Sequence, residues 1–345
     1  MRTSAIGDVV FTSPLAAAMR RTWPDAYIAW VVEPGIDALV GHDPAIDECI
    51  VWPKKRWRSL LRCGRWIALV REIRRFRADL RARRFDLALD LHGLFKSAFL
   101  AWLSGAPRRI GLGAREGSSL FVTEVVARDG DPDRISSEYL HLARHLELDC
   151  SDFLPRLHVR PDAAASADAL LRENELEPRG YAVFAAFTTR PQKHWFDDAW
   201  RELSKRVRAQ TGLVPVLLGG PDDRTGADAL VRDAPEIVNL AGRTDLAQAA
   251  AIVRDAALVV GVDTGLTHMG IAFAVPTVAL FGSTCPYTVT GRPNARVVSR
   301  RLACSPCQRA PTCGGRFDCM REISAQRVAH EVGLALGPPS TEASR

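Results

Sequence analysis

The sequence has little of what marks several protein classes. Cysteine is sparse at 8 of 345 residues, and 25 glycines and 21 prolines are ordinary, so a disulfide-stapled scaffold and a collagen-like chain are excluded. No stretch suits a bilayer, because the most apolar one, 256–282, is interrupted by Asp263, His268 and Pro276. The N-terminus lacks the apolar core of a signal peptide. We therefore expect a soluble, cytoplasmic protein.

The sequence also lacks three common catalytic signatures. It contains no His-Glu-x-x-His, no P-loop and no Gly-x-Ser-x-Gly pattern. Metalloprotease, P-loop kinase and α/β-hydrolase interpretations lose their main support.

What is present predicts two α/β domains. With 47% hydrophobic and 25% charged residues, the chain can build cores, and its length favours two domains. Short β-branched runs alternate with helical periodicity in both halves. We predict an N-terminal domain over 1–165, a C-terminal domain over 166–320, and a helix and tail over 321–345. The predicted strands are 27–32, 86–91, 181–187, 214–218, 237–240, 258–262 and 277–281. The predicted helices include 66–84, 137–148, 197–210, 225–232, 246–255, 266–273 and 323–336.

Positive charge is concentrated in one segment. Between residues 54 and 84, 13 lysines and arginines occur beside only Glu72 and Asp79, while the whole chain carries +6. This segment predicts an anionic partner, for which nucleic acid, an anionic membrane surface or a phosphorylated substrate would each be suitable. The alternative is a solvated helix face.

The strongest local pattern follows the predicted strand 258–262. Asp263 begins an Asp-Thr-Gly turn that leads into a helix of small residues. Free N–H groups at such a helix start can cradle a phosphate or diphosphate. Asp263 would repel this ligand unless it orients the turn or a hydroxyl. The alternatives are a simple helix cap for the turn and a packing role for His268.

A second pattern follows the first strand of the same domain. Thr188, Thr189, Arg190 and Lys193 offer hydroxyl donors and positive charge where a pyrophosphate would lie. Asp222 and Asp223 follow another strand and are candidates for ribose hydroxyls, or for a carboxylate pair at a helix start. These loops should share one edge of the sheet with the Asp-Thr-Gly turn, which favours an anion site.

Two further features lie near the ends of the chain. Asp8 is predicted in a glycine-containing loop before a helix entered through Ser13-Pro14, where it would be a general base or a helix cap. Four late cysteines have the spacing Cys-x2-Cys-x5-Cys-x5-Cys, which is compatible with structural zinc or an iron-sulfur centre, or with a reduced or redox-labile cluster. They are Cys304, Cys307, Cys313 and Cys319.

Three stretches together resemble glycosyltransferase family 9, the lipopolysaccharide heptosyltransferases. They are 4–10 (SAIGDVV), 262–268 (VDTGLTH) and 276–282 (PTVALFG). Within that family, four further stretches resemble the heptosyltransferase I branch: 90–97 (DLHGLFKS), 114–116 (ARE), 188–190 (TTR) and 193–195 (KHW). The late cysteines are more typical of the II and III branches.

The resemblance implies a GT-B fold, in which two doubly wound Rossmann-like domains face a central cleft. It implies inverting transfer of heptose from ADP-heptose to the Kdo region of a lipid A or inner-core acceptor, with no metal or cofactor required. Asp8 would be the base, and Lys193 would balance charge on the leaving ADP. The implied nucleotide-sugar site comprises Thr188, Thr189, Lys193, Asp223 or its neighbour Asp222, Asp263, Thr264, Gly265, Leu266 and His268.

The same resemblance gives the basic segment a role. Lysines and arginines would meet the anionic groups of the acceptor, and the Arg-rich helix would touch an anionic inner leaflet, so the enzyme would be peripheral on the cytoplasmic face of the inner membrane. The implied acceptor residues are Lys54, Lys55, Arg56, Arg58, His92 and Lys96.

The chain departs from the family at its start, because only Met1, Arg2 and Thr3 precede the first motif. We therefore expect the first strand of the N-terminal sheet to be missing, through a late start or trimming, and Asp8 to be loosened. Two other functions stay open: another nucleotide-sugar transferase on this scaffold, and a nucleic-acid-binding protein. The latter has no recognition motif and few aromatics within its basic run, so we expect no nucleic-acid partner.

Overall fold

The computed structural model describes residues 1–337 as two compact units. Unit 1 comprises Met1–Asp131 and Ser136–Phe153, and unit 2 comprises Pro132–Ile135 and the chain from Leu154 onward. The helices are α1 (Ile6–Thr22), α2 (Asp37–Val40), α3 (Lys54–Arg62), α4 (Trp66–Ala82), α5 (Phe95–Ser104), α6 (Ser137–His145), α7 (Pro161–Glu173), α8 (Asp197–Thr211), α9 (Arg224–Val231), α10 (Leu246–Asp255), α11 (Gly265–Ala272), α12 (Asp318–Arg321) and α13 (Ala325–Leu336). The strands are β1 (Ala29–Val32), β2 (Glu48–Val51), β3 (Leu87–Asp90), β4 (Arg108–Leu112), β5 (Glu124–Val126), β6 (Tyr181–Ala185), β7 (Val214–Leu217), β8 (Val238–Asn239), β9 (Leu258–Val262), β10 (Thr277–Phe281) and β11 (Ala295–Ser299).

Unit 2 contains one six-stranded parallel sheet. Its order is β11-β10-β9-β6-β7-β8, and β6, β9 and β10 are buried along their whole length. Apolar runs of this kind form central parallel strands because helices cover both faces. On one face, Trp200 and Leu203 of α8 and Val328 and Val332 of α13 belong to a single core with Phe184 of β6.

Unit 1 contains two smaller parallel sheets, β1-β2 and β3-β4-β5. Residues Met1, Arg2 and Thr3 connect them: the Leu91 N–H donates to Met1 O (3.2 Å), and the Glu33 N–H donates to Thr3 O (3.0 Å). Thr3 is fully buried. Residues 1–3 therefore bond to both small sheets at the place where the first strand was expected to be missing.

Helix α1 corrects one prediction. Asp8 lies inside its first turn rather than in a loop, and Pro14 lies in its interior rather than at its start. Pro14 has no N–H to donate to the Val10 carbonyl, but the Ser13 hydroxyl donates to it at 2.8 Å. This local replacement lets the helix continue through a residue that usually ends one.

The division between the units falls at Phe153 and Leu154, whereas the sequence places it after residue 165, inside α7. Helix α7 packs against α10 of unit 2, so it belongs wholly to that unit. Helix α13 packs against α8 and β10 and is part of the same unit, and residues 338–345 of the predicted tail lie outside the described residues. Within residues 1–337, no helix is both long and apolar enough to cross a membrane.

Candidate functional site

The carboxyl edge of the unit 2 sheet brings two predicted loops together with the loop after β10. The chain leaves β6 toward β7 and β8 and then returns to place β9 on the other side of β6. The strand order thus reverses between β6 and β9, and ligands in such sheets bind at this switch point. Thr188 follows β6, Asp263 follows β9, and Thr284 follows β10, so all three lie at neighbouring strand ends.

Asp263 is the centre of this edge. Its Oδ2 lies 2.6 Å from Lys193 Nζ and accepts a hydrogen bond from the Thr284 hydroxyl, while its Oδ1 lies 3.2 Å from His268 Nε2. Burial disfavours the charged carboxylate, but the hydrogen bond and charge of His268 and the ion pair with Lys193 outweigh it, so the pKa of Asp263 lies well below its usual range. The carboxylate is therefore ionised and orients a lysine, a histidine and a hydroxyl.

His268 connects this cluster to the core. Its Nδ1 lies 2.7 Å from the Tyr287 hydroxyl, and the residue is 2% exposed. Burial raises the pKa of Tyr287 well above its ordinary value, so the phenol stays neutral. His268 is therefore both a packed core residue and a fixed partner of Asp263.

Close packing places the start of α11 against the sheet. A Cβ on Gly261 of β9 would lie 2.1 Å from the Thr267 hydroxyl oxygen and 2.7 Å from the Ala185 Cβ. The Thr267 hydroxyl donates to Val262 O at 2.7 Å. Only glycine fits at position 261. The backbone N–H groups at the first turn of α11, including those of Gly265 and Leu266, lie just beyond the end of the buried strand β9.

The β6 loop is held against the β9 loop. The Thr188 hydroxyl donates to Asp263 O at 3.3 Å, and His194 Nε2 lies 2.8 Å from Thr188 O. Thr189 is exposed. Thr188 and Lys193 therefore contact Asp263 directly.

Asp223 is engaged in a local turn. Its Oδ2 accepts the Gly220 N–H at 2.8 Å, within the 3-10 turn Pro221–Asp223 after β7. Asp222 is exposed. β7 neighbours β6, so both carboxylates lie at the same sheet edge, with Asp223 in the capping role that the sequence offered as the alternative.

In unit 1, Asp8 forms an ion pair that the sequence did not reveal. Arg2 Nη2 lies 2.5 Å from Asp8 Oδ2, and the same oxygen accepts the Ala5 N–H at 3.3 Å. Arg2 is buried, whereas the Asp8 side chain is 39% exposed. Asp8 is thus a helix-start carboxylate that is paired with a buried cation and still open to solvent.

Glu33 organises the basic residues near Asp8. Its Oε1 lies 2.7 Å from Lys54 Nζ and 3.8 Å from Lys96 Nζ, and it accepts the Ser4 hydroxyl at 3.0 Å. Burial opposes ionisation of Glu33, but the hydrogen bonds from Lys54 and Ser4 outweigh it and lower its pKa. Burial, followed by the charge of Lys54, lowers the pKa of Lys96.

The other predicted acceptor residues differ in exposure. Lys55 and Arg58 are exposed on α3, and Arg56 pairs with Glu72 at 2.7 Å. His92 is buried, and its backbone N–H donates to Asp90 Oδ1 at 3.0 Å. Burial, together with the charges of Arg2 and Lys96, lowers the pKa of His92 to about 3, so its imidazole is neutral.

The four late cysteines lie between β11 and α13, and Cys319 is buried while Cys304 is exposed. Among residues 1–337, no group of three or more His, Cys, Asp or Glu side chains is arranged to hold a metal ion. The zinc hypothesis therefore stays a prediction.

Four contributors were absent from the sequence-based site: Arg2, Glu33, Thr284 and Tyr287. Arg2 lies just before the 4–10 motif and Glu33 just after the predicted strand 27–32. The available signal was a charged residue next to an apolar run. Thr284 and Tyr287 follow β10, and the rule that parallel strands share a carboxyl edge could have placed them near Asp263.

Comparison with known proteins agrees with this architecture. The sequence model of glycosyltransferase family 9 (heptosyltransferase) matches residues 73–316. Lipopolysaccharide heptosyltransferase 1 of Pseudomonas aeruginosa is 30% identical over 360 residues, covering 99% of this chain and 98% of that protein. Lipopolysaccharide heptosyltransferase 2 of Escherichia coli K12 is 25% identical, covering 96% of each.

A solved structure shows the same fold. The E. coli heptosyltransferase WaaC with ADP superposes with a TM-score of 0.72 at 27% identity, covering 95% of this chain and 96% of that one. The predicted GT-B fold is confirmed. The chain belongs to glycosyltransferase family 9, and it is a glycosyltransferase of the heptosyltransferase family.

Proposed function

We propose that this enzyme transfers heptose from ADP-heptose to the Kdo region of a lipid A or inner-core lipopolysaccharide acceptor, with inversion at the sugar carbon. The observation that carries the proposal is the ionised Asp263 holding Lys193 at 2.6 Å on the switch-point edge of unit 2. Support for the donor and acceptor comes from the relatives, which are lipopolysaccharide heptosyltransferases, and from the WaaC structure with ADP.

The donor diphosphate would lie over this edge. Lys193 supplies positive charge, Thr188 and Thr189 supply hydroxyl groups, and the first turn of α11 supplies backbone N–H groups. As the bond from the sugar to ADP breaks, negative charge grows on the diphosphate, and Lys193 would stabilise it most in the transition state. We propose that these groups let transfer proceed without a metal.

Asp8 is the proposed base. Its carboxylate would take the proton of the acceptor hydroxyl while that oxygen attacks the sugar carbon on the face opposite to ADP, which inverts the configuration. Arg2, whose Nη2 lies 2.5 Å from Asp8 Oδ2, would hold the carboxylate in a fixed position. The 39% exposure of the Asp8 side chain leaves room for the acceptor to approach.

The acceptor would be recognised through its anionic groups. Lys54 and Lys96 share Glu33, while Lys55 and Arg58 are exposed and available to carboxylates or phosphates. His92, which is neutral and buried beside Asp90, would shape this region rather than supply charge.

The acceptor is lipid-linked, so we propose that the enzyme works peripherally at the cytoplasmic face of the inner membrane. The heptosyltransferase I branch is favoured over II by the higher identity, 30% against 25%. No nucleic-acid partner is proposed, because the basic segment lacks a recognition motif.

A thermal-shift titration of the full chain with ADP, UDP and GDP tests the donor, followed by transfer from ADP-heptose to Kdo-lipid A. Selective stabilisation by ADP together with transfer supports the proposal. Selective stabilisation by UDP or GDP would keep the fold but replace the donor. Transfer only to an acceptor that already carries the first heptose would assign the II branch.

A further inference from the structure

The turn between α3 and α4 exposes an unusual set of apolar side chains. Leu61 is 46% exposed, Trp66 60%, Ile67 80% and Val70 45%. Large exposed apolar side chains are ordinary when scattered, but a cluster of four within ten residues marks an interaction surface.

Helical geometry joins these residues to a row of arginines. Ile67, Arg71 and Arg74 recur at helical spacing along α4, so they share one flank of the helix. Phe76 and Leu80 bury the opposite side in the core of unit 1. The exposed flank is therefore apolar at its start and basic farther along.

Four arginines that lie within or close to the apolar cluster along the sequence are available for a partner. Within residues 1–337, the ion pairs of the basic segment engage Lys54, Arg56 and Arg83, and none engages the four arginines nearest the apolar cluster. These four are Arg62, Arg65, Arg71 and Arg74, and all are exposed.

We infer that this surface docks the enzyme onto a bilayer with anionic headgroups. We name the surface the α3–α4 tip and define it by Leu61, Arg62, Arg65, Trp66, Ile67, Val70, Arg71 and Arg74. The apolar side chains enter the interface between headgroups and acyl chains, where tryptophan is favoured, and the arginines meet the anionic headgroups. Apolar insertion alone or charge attraction alone gives only weak membrane binding, but the two together give stable docking.

The composition of the α3–α4 tip favours a bilayer over a nucleic acid as its partner. A nucleic acid would use the arginines but would leave Ile67, Val70 and Leu61 against a charged backbone. A bilayer uses both classes of side chain at once. The inference deepens the proposed function, on which it rests for the lipid-linked acceptor, because docking by the tip would hold unit 1 at the surface that presents the acceptor.

Co-sedimentation of the full chain with lipid vesicles tests the inference. Vesicles of phosphatidylcholine are compared with vesicles that contain about one third phosphatidylglycerol, at low and high salt. We expect binding to the anionic vesicles that weakens with salt. Ile67→Asp and the double variant Arg62→Glu/Arg65→Glu should each weaken binding by at least about tenfold, since each arginine near such a surface contributes roughly a fivefold effect.

Two variants in unit 2 serve as matched controls. Leu334→Asp places the same charge at an exposed apolar site on α13, and Arg327→Glu reverses an exposed arginine on the same helix. Both should bind vesicles as the wild type does, and melting temperatures should show that all variants are folded. Equal vesicle binding by the tip variants and the wild type, or tighter binding of a single-stranded oligonucleotide than of anionic vesicles, would overturn the inference.

Transfer assays separate this inference from the proposed function. With a deacylated, water-soluble acceptor, the tip variants should retain wild-type turnover, whereas with acceptor embedded in anionic vesicles they should lose it. Vesicle binding without transfer to either acceptor would overturn the proposed function and leave docking intact. If the wild-type chain transfers to the soluble acceptor but does not bind anionic vesicles, docking by the tip is overturned and the proposed function is kept.

Discussion

Lys193 and Asp263 form a short ion pair, with Nζ and Oδ2 2.6 Å apart, at the edge where the strand order of unit 2 reverses. The side chains are only 18% and 13% exposed, so the pair is shielded from water. A diphosphate at this edge would meet a lysine whose position is already fixed, which would lower the entropic cost of binding.

The first prediction concerns donor binding. Lys193→Ala should weaken ADP binding about ten- to hundredfold, because a hydrogen bond to a charged group contributes about 1.5–3 kcal/mol. Isothermal titration calorimetry measures the change. Lys205→Ala, an exposed lysine on α8, is the control and should bind ADP as the wild type does. Unchanged affinity in Lys193→Ala would remove Lys193 from the donor site.

The second prediction concerns the base. Asp8→Asn should lower turnover by about 10²- to 10⁴-fold, the usual contribution of a general base, while ADP affinity stays unchanged. Asp25→Asn, at another exposed carboxylate of unit 1, should keep full turnover. Retained turnover in Asp8→Asn would sink the base assignment.

The third prediction concerns packing beneath the donor site. Gly261→Ala should destabilise the protein by about 1–3 kcal/mol, because the new Cβ would enter the space of Thr267 and Ala185. Gly333→Ala on α13 is the matched control: its Cβ would meet open space, and it should stabilise the helix by about 0.5–1 kcal/mol. Chemical denaturation compares the two, and an unchanged midpoint for Gly261→Ala would contradict the contact.

The fourth prediction concerns pH. The folded pKa of His92 is about 3, below its ordinary 6.5, so the unfolded chain binds the proton more readily. Stability should therefore fall as pH drops through 6.5 toward 3, by about 2 kcal/mol from this residue between pH 7 and pH 5. Denaturation at both pH values should show a smaller difference in His92→Gln. The same difference as in the wild type would refute this account, and His330→Gln, at an exposed histidine, is the control.

The fifth prediction concerns the late cysteines. If Cys304, Cys307, Cys313 and Cys319 hold zinc, the purified chain contains about one zinc per molecule, and a chelator lowers its melting temperature. Cys313→Ser should lose the metal, whereas Cys63→Ser, at an exposed cysteine of unit 1, should keep it. A purified chain that contains no metal, and in which all four late cysteines react as free thiols, would contradict the zinc site and support a reduced cluster.

The elements that sequence reasoning predicted best have strong local signals. β9 and β10 match their predicted ranges because continuous β-branched and apolar runs suit a buried parallel sheet. α10 also matches, because Asp245 accepts the Gln248 N–H at its start. The strands β2, β4, β5 and β11 were missed. β2 and β5 have only four and three residues, and β4 and β11 contain arginine among their apolar residues.

The sequence predicted which loops form the site, but it did not predict which side chains pair with one another there. Thr188, Lys193 and Asp263 could be assigned to one sheet edge from strand order alone. The Lys193–Asp263 and Arg2–Asp8 ion pairs depend on side-chain reach across folded loops, which periodicity does not encode.

Glu33 would make anion binding in unit 1 an exchange rather than an addition. Its carboxylate already lies 2.7 Å from Lys54 and 3.8 Å from Lys96, so an incoming anion would have to replace it. A monovalent buffer ion would offer these lysines no more than Glu33 does. A ligand with several adjacent negative charges would offer more, so one half-buried carboxylate would exclude simple salts and favour polyanionic molecules at these lysines.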